Sequence, residues 1–133
     1  MSIQFETWPE AAALIIRTRG DVDAVAVDDM RRRTVELTRQ TGFHNYLVDM
    51  TELRSIANND TFAAYDLGDR FGKAGIAFST KTAVILPRDD EARRQAEFLH
   101  TVELNRGRGD LQYVEDAAEA RDWFHQPRAR HAN

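Results

Sequence analysis

Cysteine is absent from this chain, and with it go disulfides, thiolate nucleophiles and every cysteine-ligated zinc or iron–sulfur site. A reducing compartment is the natural setting, and we read the chain as cytoplasmic. Glycine and proline are sparse, at seven and three residues of 133, which excludes collagen-like and low-complexity organisation. Long apolar runs are missing too: "AAALII" falls far short of the ~20 residues a membrane-spanning helix needs, and the start, "MSIQFETWPE", has no basic n-region. There is no excess of positive charge. Eighteen Lys and Arg stand against 22 Asp and Glu, a formal net charge of −4, so a phosphate backbone would be repelled and nucleic acid is not an expected partner. The one basic cluster, "MRRRT" at 30–34, follows Asp28 and Asp29 and reads as a solvated helix face. Catalytic signatures are equally scarce. The chain has no G-x-S-x-G elbow, no Walker or Rossmann glycine pattern and no EF-hand loop.

What is present is the composition of an ordinary globular protein, 42% hydrophobic and 30% charged. A chain of this length buries roughly two thirds of the surface its unfolded form exposes, enough for one domain, which we place at 1–126. The remainder, 127–133 ("PRARHAN"), reads as a flexible basic tail.

Residues 2–7 and 12–19 are extended candidates joined by "WPE", with Pro9 setting the turn. The second run stops at Gly20, and Asp21 or Asp23 can cap a helix beginning there. From Val22 to Thr41, Val27, Met30, Thr34, Leu37 and Thr41 recur at helical spacing, and Gly42 ends the helix. "FHNYLVDM" supplies the next strand, closed by Asp49. Asn58, Asn59 and Asp60 can cap a helix bearing Phe62, Tyr65 and Phe71. "KTAVILP" is a buried strand stopped by Pro87, and "RDDEARRQAEFLHTVELNRG" a helix with acids in its first turn. "LQYVE" and a helix from Asp116, with Glu119 three residues on, complete the chain. The order β β α β α β α β α predicts an α/β fold: a mostly parallel sheet of about five strands with an antiparallel N-terminal hairpin, flanked by about four helices.

With those elements in place, "GFHNYLVDMTEL", "AVILP", "FLHTVELNRG" and "VEDAAEARDWF" resemble the SpoIIAA-like proteins of bacteria, which have the STAS fold. The resemblance spans about residues 3–125 and rests on the order of several weak motifs. It implies a small αβ domain whose relatives antagonise anti-sigma factors by binding a protein, under the control of serine phosphorylation. Those relatives carry D-L-S-G-V-x-x-I-D-S, with the acceptor serine nine positions after the aspartate. Counted from Asp49, that pair falls on Ala57 and Asn58, so the acceptor is missing here. Ser55 and Thr61 lie three residues to either side, where a phosphate would meet different neighbours.

Asp49 and Glu52 lie at the carboxyl end of the central strand, where open α/β sheets place their ligands. The favoured reading of Asp49 is structural, its carboxylate serving the backbone of the following loop as an Asx turn. His44 is excluded as a direct partner of Asp49, since five extended residues separate them by about 16 Å. His100 reads as a plain helical histidine. Asp60, Asp66 and Asp69 lack the oxygen-rich rigid loop a hard cation needs, so no metal or other cofactor is expected. "NRGRGD" at 105–110 reads as a helix C-terminus more readily than as an anion nest.

The expected function is that of a non-enzymatic bacterial STAS-like protein that binds a protein partner or a small ligand. Its expected surface comprises Asp49, Thr51, Glu52, Asn58, Asn59, Asp60, Phe62 and Tyr65, together with the loop near 87–90. Two alternatives stay open: a small enzyme using Asp49 and Glu52 as acid and base, or a carrier of an apolar lipid or acyl ligand lined by Phe62, Tyr65, Phe71 and Phe98. A homodimer is a further expectation, since Trp8, Phe71, Phe78 and Trp123 exceed what one small core needs.

Overall fold

The computed structural model describes residues 3–56, 81–94, 97 and 110–126. Five strands form one sheet in the order β1-β2-β3-β4-β5. They are β1 (Ile3–Trp8), β2 (Ala13–Val22), β3 (Asn45–Ile56), β4 (Lys81–Ile85) and β5 (Asp110–Tyr113). β1 runs antiparallel to β2, and every other pairing is parallel. The hairpin closes through a 3-10 turn at Pro9–Ala11, with Ala12 in the left-handed region donating its N–H to the Pro9 carbonyl.

The long helix α1 (Ala24–Thr41) begins where the sequence puts it, with the Asp23 carboxylate accepting from the Ala26 N–H. It stops at Gly42, whose φ of 74° a β-carbon would oppose, and the Gly42 N–H returns to the Thr38 carbonyl. A second helical segment opens at Asp90, capped by the Asp89 carboxylate on the Ala92 N–H. The C-terminal helix α2 (Ala117–Phe124) has its start tied twice. Asp116 accepts from the Glu119 N–H, and the Glu119 carboxylate reaches back to the Glu115 N–H. The helix expected from Asn58, the rest of the helix after residue 97 and the tail 127–133 lie outside the described residues.

Alternation along the strands gives the sheet two cores. On one face Leu14, Ile16, Tyr46 and Leu53 pack with Ala92 and, from α1, Met30, Val35 and Leu37. On the other, Ala13, Ile15, Leu47 and Ala83 pack under α2 through Ala120 and Phe124, and Trp8 and Trp123 lean on that cluster. Trp8 meets Phe124 edge-on at 6.5 Å. Two of the four aromatics expected to lie on a dimer surface thus belong to the second core, while Phe71 and Phe78 lie outside the described residues. Within the first core a 2.6 Å hydrogen bond joins the hydroxyls of Thr38 and Tyr46.

Two boundaries differ from the sequence expectation by more than two residues. β2 does not stop at Gly20 but passes through it, at φ 68°, and ends at Val22. β3 does not end at Asp49 but runs seven residues further, to Ile56. The cause is in the register. Arg17 pairs with Asp49 but Arg19 with Glu52, and Gly20 pairs with Leu53 but Asp21 with Ser55. Each shift gives β3 one extra residue, as in a β-bulge. The run "DMTELRSI" therefore does not alternate, although it is a strand.

Burial pushes the Tyr113 hydroxyl up to about 12, and the charge of Glu97 adds to the effect. Burial also raises Tyr46, against a smaller opposing contribution from its bond to Thr38. Both shifts disfavour phenolate in the folded chain. Their stability is full below the ordinary tyrosine range near pH ~10 and is lost as pH rises through the shifted values. In urea titrations the folded state should hold to about pH 10 and weaken above it, and Tyr113→Phe should flatten that fall. An identical fall in the variant would assign it to other groups.

Candidate functional site

β2 carries two arginines at alternate positions after its apolar half, in "IIRTRG". Alternation turns both toward the α2 face of the sheet, beyond the part that α2 covers. Arg17 donates to Glu6 on β1 at 2.7 Å, and its Nε lies 3.9 Å from the Asp49 carboxylate on β3. Arg19 donates to Glu52 at 2.9 Å. Further along, the Ser55 hydroxyl donates to Asp21 at 2.7 Å. The result is a ladder of cross-strand polar pairs over β1, β2 and β3, open to solvent at Arg19 and Glu52 and half-buried at Asp49.

Asp49 is the innermost member. Its Oδ1 accepts from both the backbone N–H of Thr51, at 3.0 Å, and the Thr51 hydroxyl, so the side chain closes the first register shift as an Asx turn within the strand. Its carbonyl accepts from the Thr18 hydroxyl at 3.4 Å. β4 ends opposite it, where Ile85 pairs with Asp49. The chain leaving β4 then turns at the buried Pro87, and the Arg88 N–H donates to the Thr51 carbonyl at 3.3 Å. That hydrogen bond joins the 49–52 segment to the 87–90 loop, the two stretches that the sequence suggested share a surface.

Of the residues expected there, Asp49, Thr51 and Glu52 lie together on β3, mid-strand and not in a loop after it. Asn58, Asn59, Asp60, Phe62 and Tyr65 lie outside the described residues, as do Phe71, Phe98, His100, Asp66 and Asp69. His44 is exposed immediately before β3, on the strand end away from Asp49. Sequence reasoning missed Arg17 and Arg19. Their signal was present, since two arginines at i and i+2 on one strand share a face and call for acids on the neighbouring strands. Asp89 is engaged as a helix cap, so the start of that helix already holds its own anion. Among the described residues no three of His, Asp and Glu gather as metal ligands, and no helix is long and apolar enough to cross a membrane.

No protein-family model matches the sequence, and no curated protein does. Solved structures do match. The anti-sigma factor antagonist SpoIIAA in its unphosphorylated form is similar at a TM-score of 0.59 and 18% identity, over 91% of this chain and 96% of that one. An uncharacterized DUF3478-family protein with a SpoIIAA-like fold, from Shewanella loihica PV-4, matches at a TM-score of 0.56 and 20% identity, covering 92% of this chain and 91% of that one. The Bacillus cell fate determinant SpoIIAA in its phosphorylated form matches at a TM-score of 0.54 and 14% identity, covering 91% and 97%. Identities this low establish the fold and nothing finer.

Proposed function

We propose that this chain, which has the SpoIIAA-like fold, is a non-enzymatic bacterial STAS-like protein that works by binding. Its docking surface is the ladder segment Asp49–Thr51–Glu52 with the adjoining 87–90 loop, extended by Asn58, Asn59, Asp60, Phe62 and Tyr65. The observation that supports the reading is the backbone hydrogen bond from Arg88 to Thr51, which brings two segments distant in sequence side by side. A similar fold in an anti-sigma factor antagonist, a protein named for acting on another protein, supports a protein partner ahead of a small ligand. Regulation by phosphate at position 58 is not part of the proposal, because that position is asparagine.

Catalysis by Asp49 and Glu52 is less well supported. General acid and base need carboxyls in opposed environments, whereas each of these faces its own arginine and Asp49 also holds the Thr51 backbone.

The test is affinity capture from the host with the wild-type chain and with Glu52→Arg, which reverses the exposed end of the ladder and leaves the cores untouched. A specific partner should be captured by the wild type and lost with the variant, with circular dichroism unchanged. Equal capture by both would place the surface elsewhere. Native mass spectrometry of the purified chain adds the ligand arm: a bound small molecule would favour ligand over protein.

A further inference from the structure

Among the described strands, β1 pairs on one side only, with β2. Natural sheets protect such an edge with lysines, prolines, bulges or brevity. The other edge strand, β5, has four residues, but β1 has six in unbroken register and contains no lysine, arginine or proline. Its one charge, Glu6, pairs with Arg17 from inside the sheet but stays exposed at the edge. It also carries Phe5, whose ring lies under the Arg33 guanidinium at 5.5 Å.

The residues of β1 fit a second copy of the same strand. In a two-fold antiparallel pairing, residue i meets residue j and j meets i. A sheet that stays continuous keeps each core on its own side, so only residues of like parity can face each other. Two central registers satisfy this. One sets Glu6 against Glu6 of the second copy and is repelled. The other sets Phe5 against Phe5, Ile3 against Thr7, and Gln4 against Glu6, where the amide of Gln4 donates to the carboxylate at both ends of the pairing. The two Gln4–Glu6 hydrogen bonds of the second register, set against two facing carboxylates in the first, thus select a single register.

We infer that this chain self-associates through β1, edge to edge, with Gln4 facing Glu6 of the second copy. The inference is independent of the partner surface on β3. A contact of one short strand falls below the ~1,200 Å² typical of stable interfaces, so the dimer is weak and concentration-dependent.

Sedimentation velocity from micromolar to sub-millimolar protein tests it with three chains. The wild type should move from monomer to dimer across that range. Gln4→Glu places acid against acid twice and should raise the dissociation constant about three- to tenfold, while Gln4→Lys should lower it by a similar factor. The same substitutions act in the opposite sense within one chain, because Gln4 lies directly opposite Arg17. Gln4→Glu should therefore hold or raise the urea midpoint of the monomer, and Gln4→Lys should reduce it. A wild type that stays monomeric overturns the inference. So does a dimer whose dissociation constant ignores both variants, or one that merely follows monomer stability.

Discussion

Leu53→Ala is expected to lower the unfolding free energy by about 3 kcal/mol, within the range for a leucine truncated in a packed core. Leu53 is 1% exposed and packs into the first core with Leu14, Ile16 and Tyr46. Its neighbours Glu52 and Arg54 are exposed, and truncating either should change stability by about 0.5 kcal/mol or less. That contrast across three consecutive residues is the signature of a strand held in register. Had the chain left the sheet at Asp49, all three would behave as surface positions. A cost for Leu53→Ala no larger than that of its neighbours, in urea denaturation, would remove residues 51–56 from the sheet.

Lys81→Met should destabilise the fold by about 2 kcal/mol and do so locally at the C-terminal helix. Lys81 opens β4 and is 5% exposed. Its ammonium donates to the carbonyls of Trp123, at 2.9 Å, and of Gln126, at the far end of α2, and lies 5.3 Å over the Trp123 ring. A cation there gives the Trp123 carbonyl, which already accepts from the Gln126 N–H, a second donor, meets the Gln126 carbonyl and complements the negative end of the helix dipole. Methionine keeps the length and apolar stem but not the charge or the donors. Hydrogen exchange should accelerate at residues 117–126 more than in β2 or β3. Unchanged exchange there would mean that Ala120 and Phe124 dock α2 without help from the lysine.

The elements legible in the sequence are those specified locally. The hairpin around Pro9, the cap at Asp23, the stop at Gly42 and the tie between Asp116 and Glu119 each depend on residues within a few positions of one another, and each forms as expected. The antiparallel start and parallel remainder followed from the order of elements. What was not legible depends on distant partners. Lys81 reads as an ordinary lysine beginning a strand, because the carbonyls it holds lie more than forty residues away. Arg17 and Arg19 gain meaning only once β1 and β3 are placed on either side of β2. In "DMTELRSI" the spacing of Met50, Leu53 and Ile56 is three, which mimics a helical turn or a loop and hides the strand.

That spacing gives β3 something like a reading frame. Met50 and Leu53 reach the same core although one number is even and the other odd, because the extra residue between Asp49 and Glu52 inverts the strand's phase; the extra residue at 54 restores it before the pairing of Ile56 with Val22. Length change in this stretch is therefore quantised. Losing one residue would send the following side chains to the wrong faces, placing Leu53 among the charges and Glu52 in the core. Losing one from each bulge would leave a regular strand with every assignment intact. Relatives that differ in length between Asp49 and Ile56 should accordingly differ by two.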